Sequence, residues 1–94
     1  MNNVLELLES EEFTVVDVRT PAEFLEGHLA NSVNIPLNEL QNRLLEFKSM
    51  KPVVLCCASG VRSNKATNFL KQYGIQCQDG GSWLMLQSQL NNKK

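Results

Sequence analysis

Pro52-Val53-Val54-Leu55-Cys56-Cys57-Ala58-Ser59-Gly60-Val61-Arg62-Ser63 is the stretch of this 94-residue chain that decides its fold. Five apolar residues in a row, introduced by a proline, are the pattern of a strand buried on both faces. The turn Ala58-Ser59-Gly60-Val61 follows. After it, Ala66, Phe69, Leu70 and Tyr73 fall on one side of a predicted helix, and Gly74 supplies a left-handed stop. A strand buried on both faces needs cover on both, which points to helices packed on a parallel sheet.

The same alternation continues in both directions. Toward the N-terminus, Val4, Leu5, Leu7 and Leu8 form a short amphipathic helix that stops before Phe13. Phe13 to Val18 is β-branched and reads as a strand. Thr20-Pro21-Ala22-Glu23 is a capping box with proline at the first helical position, and Gly27 ends that helix. Ser32 to Ile35 is a brief strand closed by Pro36. Leu37, Leu40, Leu44 and Leu45 are spaced as the apolar face of one further helix. Toward the C-terminus, Ile75 to Gln78 is a fourth strand, Gly80-Gly81 turns the chain, and Trp83 to Leu90 is a last helix. The Lys93-Lys94 tail reads as a solvated end.

Composition narrows the function classes. A chain of 94 residues with 43% apolar and 20% charged content fits one folded domain, and excludes disorder and a two-domain enzyme. The longest apolar run, Val53 to Ala58, is far too short to span a bilayer, and the chain opens without a basic-then-apolar leader. Three cysteines, no C-x-x-C and a lone His28 argue against zinc and against a disulfide scaffold. The expected setting is the reducing cytoplasm. The formal net charge of −1 hides a split. Up to Phe47, Arg19 and Arg43 face nine acids, a net of −7; from Lys48 onward, seven cations face Asp79, a net of +6. The split can reflect an anion site or mere pairing of the halves. It does not favour nucleic acid, since the basic half lacks interleaved aromatics.

In open parallel sheets, ligands bind at the carboxyl ends of strands, which directs attention to Cys57 through Ser63. A short loop entering a helix can curl its N–H groups around an anion, and the helix dipole adds positive potential there. Arg62 adds a charge that does not titrate in this range. A cysteine at the mouth of such a loop has a depressed pKa and becomes a nucleophilic thiolate. Gly60 provides the positive φ that a closed loop needs.

Two stretches together resemble the rhodanese family of sulfurtransferases over nearly the whole chain. The first runs from Asp17-Val18-Arg19 through Glu23-Phe24 and Gly27-His28 to Asn34-Ile35-Pro36, similar to the family's D-x-R…E-F…G-H-I…N-I-P signature. Within it, Asn31 stands where a glycine is usual and can still adopt the left-handed conformation. The second is the C-x-S-G-x-R-S loop from Cys57 to Ser63. The Asp79-Gly80-Gly81 segment with Trp83 nearby is a weaker third match. The resemblance implies a three-layer α/β/α fold with a central parallel sheet of four to five strands. It covers residues 1–94 as a single domain that lacks the family's usual N-terminal edge strand.

The resemblance also implies a chemistry. Cys57 takes a sulfane sulfur from thiosulfate, a persulfide or polysulfide, holds it as a persulfide, and passes it to cyanide, a thiol or a sulfur-relay protein. Ala58, Ser59, Gly60, Val61, Arg62 and Ser63 form the substrate-binding loop, and no metal or organic cofactor takes part. Related phosphatases and arsenate reductases use a seven-residue loop, whereas Cys57 to Arg62 is six, a smaller ring suited to one sulfur atom. Alternatives are a non-catalytic binding module and, less favoured, a phosphatase or arsenate reductase. The loop carries Ala58 where a second arginine is common, which makes it less cationic and disfavours thiosulfate.

The remaining candidate residues read as follows. Arg62 reads as both bracing the loop against a carboxylate, first, and binding donor anions. Asp17 and Arg19 either approach the site from the neighbouring strand end or form an internal ion pair as its support. Cys56 reads as core, Cys77 as core or as a resolving thiol, and Glu23 as a capping-box residue. His28 belongs to a turn rather than to a Cys–His pair.

Overall fold

The computed structural model describes residues 4–10 and 12–92, so the Lys93-Lys94 tail lies outside the described residues. Helix α1 spans Val4–Glu9, strand β1 Thr14–Asp17, helix α2 Pro21–Glu26 and strand β2 Val33–Asn34. Two 3-10 turns, Leu37–Glu39 and Gln41–Arg43, lead into α3, Leu44–Lys48. Then come β3 (Val53–Cys57), α4 (Val61–Gln72), β4 (Cys77–Ser82) and α5 (Trp83–Asn91). The four strands form one sheet in the order β2-β1-β3-β4, with every pair parallel.

Alternation along β3 divides the interior into two layers, as the three-layer expectation requires. Val53, Leu55 and Cys57 join Val16, Val18, Leu40, Phe47, Ala66 and Leu70 under α3 and α4. Val54 and Cys56 join Leu8, Val15, Leu29 and Leu86 under α1 and α5. Each fully buried Val or Leu side chain contributes about 1.5–3 kcal/mol, so β3, buried at all five positions, anchors both layers.

Several local expectations need correction. The helix expected through Leu37, Leu40, Leu44 and Leu45 is broken into two 3-10 turns and a single short α-helix. Three residues per turn bring Leu37 and Leu40 into line, and the α-helical phase then selects Leu44 and Phe47. Leu40 and Phe47 are buried, while Leu45 is exposed. On α4 the buried stripe is Ser63, Ala66, Thr67 and Leu70. Tyr73 is exposed; it sits at the C-cap, where its ring leans on Phe69 beyond the end of the layer.

The fourth strand begins at Cys77 rather than Ile75, and it runs through Gly80-Gly81 instead of turning there. Gly80 is required by packing. A Cβ at this position would stand 2.7 Å from Val54 Cγ1, 3.0 Å from the Leu55 carbonyl oxygen and 3.2 Å from Leu86 Cδ2. The β3–β4 register shifts at this point, between Leu55 and Cys56, and realigns to set Cys57 opposite Ser82. Asn31 does adopt a positive φ, 68°.

Candidate active site

The end of β3 and the start of α4 form a ring around one sulfur atom. The Gly60 N–H donates to Cys57 Sγ at 3.0 Å and the Ser63 N–H donates at 3.3 Å. The Ser63 hydroxyl lies 3.5 Å from Sγ and donates to the Gly60 carbonyl at 3.2 Å. Gly60 closes this ring with φ 105° as the N-cap of α4. Thr67 Oγ1 donates to the Ser63 carbonyl and fixes the first turn of the helix. Ala58, Ser59 and Val61 are exposed, Gly60 and Arg62 half-buried, and Cys57 and Ser63 fully buried.

This environment sets the sulfur's proton affinity. Burial pushes the Cys57 thiol up, but the Ser63 hydroxyl and the N–H groups of Ser63, Gly60 and Ser59 outweigh it and hold the thiol below its ordinary value. The N-terminus of the twelve-residue α4 adds to the same potential. Cys56, one residue earlier, faces the other layer. Burial first, and the nearby Asp17 charge second, push its thiol up to about 12. Cys77 is raised by burial, and its Sγ lies 3.6 Å from the Thr67 carbonyl oxygen. It pairs with Val53, four residues before Cys57 on the adjacent strand. At about 3.3 Å per residue that separation is roughly 13 Å, too far for a disulfide with Cys57, so Cys77 is a core residue.

Arg62 is committed to a carboxylate. Its Nη1 and Nη2 donate to Glu23 Oε1 and Oε2 at 2.7 and 3.0 Å, tying the loop to α2. Glu23 also completes the capping box, accepting from the Thr20 N–H at 2.9 Å while its own N–H donates to Thr20 Oγ1. The Arg62 hydrogen bond, and then the Thr20 N–H, hold its carboxyl down to about 2. Arg62 thus braces the loop against a carboxylate of α2. Glu23 is both the capping-box residue of α2 and the partner of Arg62. The signal for that pairing is topological: β1 and β3 are adjacent, so the helices that follow them start side by side.

Asp17 and Arg19 form the internal pair. The buried carboxylate of Asp17 accepts from the Arg19 N–H and Nε at 3.0 Å and from Nη2 at 2.8 Å. Nη2 also donates to the Gly27 carbonyl at 2.7 Å, and the guanidinium lies 5.0 Å from the Trp83 ring centroid. These bonds pin the end of α2 to the start of α5 and do not reach the sulfur. His28 stacks on Phe24, with centroids 3.7 Å apart, and its Nδ1 lies 2.7 Å from the Phe24 carbonyl oxygen. Of the charge split, Arg62–Glu23 joins the two halves, while the Arg19 and Arg43 pairs lie within the first.

On the other flank, Asp79 Oδ1 accepts from the Gly81 N–H at 2.9 Å, and Oδ2 accepts from Asn64 Nδ2 at 3.4 Å. Ser59, Gly60, Val61, Asn64, Lys65 and Asp79 line an open depression beside the loop. Among the described residues, no three His, Cys, Asp or Glu gather as a metal site, and no helix is long and apolar enough to cross a membrane.

Known proteins resemble this chain in sequence and in fold. The sequence model of the rhodanese-like domain matches residues 1–82. The chain is 38% identical over 78 residues to the uncharacterized protein YqhL of Bacillus subtilis, covering 76% of this chain and 62% of that protein. It is 35% identical over 68 residues to a sulfurtransferase of Allochromatium vinosum, covering 72% of this chain and 64% of the relative. It thus spans somewhat less than two thirds of either relative's length. Among solved structures, a rhodanese-related protein of Thermoplasma volcanium superposes with a TM-score of 0.72 at 36% identity, covering 82% of this chain and 81% of that one.

Proposed function

Because this chain belongs to the rhodanese-like domain family, we propose that it is a sulfurtransferase in which Cys57 carries the sulfur as a persulfide. The observation that supports this reading is the cradle itself, N–H groups at 3.0 and 3.3 Å from a sulfur whose thiol is held below its ordinary pKa. A relative covering most of its own length carries the name thiosulfate sulfurtransferase, at 28% identity, in Pseudoalteromonas translucida.

In the first step the Cys57 thiolate attacks the outer sulfur of a donor. A new S–S bond forms at Cys57, the donor's S–S bond breaks, and sulfite or a thiolate leaves with the bonding pair. In the second step an acceptor nucleophile attacks that outer sulfur, and Cys57 departs as thiolate. Two displacements replace one, and the charge on the transferred sulfur is met by fixed N–H dipoles rather than by reorganising water. Ala58, Ser59, Gly60, Val61, Arg62 and Ser63 form the binding loop, with Asp17 and Arg19 supporting the neighbouring turn. The donors are thiosulfate, persulfides or polysulfide, and the acceptors thiols or a sulfur-relay protein. A nucleophilic thiolate must stay reduced, which fits a cytoplasmic setting.

Incubation with thiosulfate, and separately with polysulfide, followed by intact mass measurement, tests this. The protein gains one sulfur atom; Cys57→Ser loses the adduct and Cys77→Ser keeps it. An unmodified mass with every donor overturns the proposal. Rapid hydrolysis of a phosphotyrosine mimic would replace it with a phosphatase.

A further inference from the structure

The surroundings of the loop specify which kind of donor it takes. A thiosulfate dianion needs free positive charge, both to bind and to release sulfite as a dianion. The two arginines nearest the loop do not supply it. Both terminal nitrogens of Arg62 are occupied by the two oxygens of Glu23. Arg19 is buried and engaged with Asp17 and the Gly27 carbonyl. Lys65, in the first turn of α4, lines the open depression beside the loop without an ion pair to Asp79, whose carboxylate is taken by the Gly81 N–H and Asn64. Position 58 is alanine. Both arginines nearest the loop are therefore engaged by carboxylates.

Apolar surface is present instead. Val61, the residue after Gly60, is 62% exposed. The first turn of α5 adds Leu84 at 58% and Met85 at 67%. The residues leading into that turn adjoin the loop: Ser82, its N-cap, pairs with Cys57, and a Cβ on Gly60 would come within 3.7 Å of Gly81 Cα.

We infer that Glu23 is a specificity-determining residue that occupies Arg62 against dianionic donors, so that the site prefers a persulfide on an uncharged, apolar carrier over thiosulfate. The inference rests on the sulfur-carrying reading of Cys57. The step balances as Cys57–S⁻ plus R–S–SH giving Cys57–S–SH plus R–S⁻, with no oxidant or reductant. The leaving thiolate carries one charge where sulfite carries two. R lies against Val61 and the start of α5, and Arg62 stays with Glu23 throughout.

The test compares the rate at which the one-sulfur adduct appears on Cys57 with thiosulfate and with benzyl persulfide, in wild type and Glu23→Gln. Glutamine at this helix position still completes the capping box, so α2 is retained. Wild type loads faster from benzyl persulfide. Glu23→Gln frees Arg62 and shifts the thiosulfate-to-persulfide rate ratio toward thiosulfate by about twofold to fivefold, the scale of losing one half-exposed ion pair. A residue that merely braces the fold slows both donors in proportion, so an unchanged ratio overturns the inference, as does a wild type that prefers thiosulfate. Absence of the adduct with both donors overturns the sulfur-carrying reading itself, and the inference falls with it.

Discussion

Cys56 and Cys57 share a peptide bond and almost nothing else. One points into the α1/α5 layer among Leu8, Val15, Leu29 and Leu86, where burial pushes its thiol up to about 12. The other points toward the α4 layer at the mouth of a ring of N–H groups that holds its thiol below the ordinary value. Both residues are fully buried, so burial alone does not decide which sulfur is reactive. The deciding factor is what the burial replaces water with: hydrocarbon in one case, aligned hydrogen-bond donors in the other. Strand alternation delivers the two side chains to these two environments within a single residue step.

The largest effect that can break this contrast is on sulfur transfer itself. On the proposed mechanism, thiocyanate formation from cyanide falls at least about 10³-fold in Cys57→Ser, since the proposed nucleophile is removed. Cys56→Ser keeps turnover but loses about 1–3 kcal/mol of stability in urea denaturation, because a hydroxyl enters an apolar cluster. Equal loss of transfer in both variants would end the distinction.

A second challenge strikes the Cys56 layer through the backbone. Gly80→Ala drives a methyl into Val54 and Leu86, and we expect a loss of about 1–3 kcal/mol, read as a lower urea midpoint. An unchanged midpoint would show that the β4 irregularity relaxes freely.

Ser63→Ala sharpens the Cys57 side. Without the hydroxyl the thiolate is less stabilised, the thiol's pKa rises, and alkylation by iodoacetamide at pH 7 slows about tenfold. Its rate profile moves to higher pH. Cys56 and Cys77 stay unlabelled until the protein unfolds.

The smallest effect is the pH dependence of stability. Cys57 has a depressed pKa in the fold, so its contribution grows as pH climbs to the ordinary thiol value of 9.0. Cys56 is raised, so it stabilises the fold below 9.0 and loses that contribution between 9.0 and about 12, where the unfolded chain ionises first. Cys77 acts in the same direction as Cys56. Urea midpoints should therefore fall above pH 9, with a shallower slope in Cys56→Ala. An identical slope would place the alkaline loss elsewhere.

Much of this molecule is legible in its sequence because proline and glycine punctuate it well. Pro52, Gly60 and Gly74 bracket β3 and α4, and the capping box at Thr20 sets α2. What escaped were features imposed from a distance. Gly80-Gly81 reads locally as a turn, yet Val54 and Leu86 forbid a side chain at Gly80 and the strand continues. Leu45 matches a helical period that the 3-10 turns after Pro36 dephase. The sulfur's neighbours were readable from the loop alone, since all lie within seven residues of chain, from Cys57 to Ser63. The partner of Arg62 was not, because Glu23 lies 39 positions away and carries a sufficient local explanation of its own.

The opposed directions of Cys56 and Cys57, together with the placement of Cys77 near the far end of the sheet, bear on how long a loaded domain keeps its cargo. A persulfide is discharged by any thiol that reaches its inner sulfur, releasing hydrogen sulfide and leaving a disulfide. No cysteine of the described residues is placed to do this to Cys57. If Cys57 carries sulfur as proposed, no cysteine among the described residues offers an internal route for self-discharge, and the lifetime of the loaded form would be set by the arrival of an outside nucleophile.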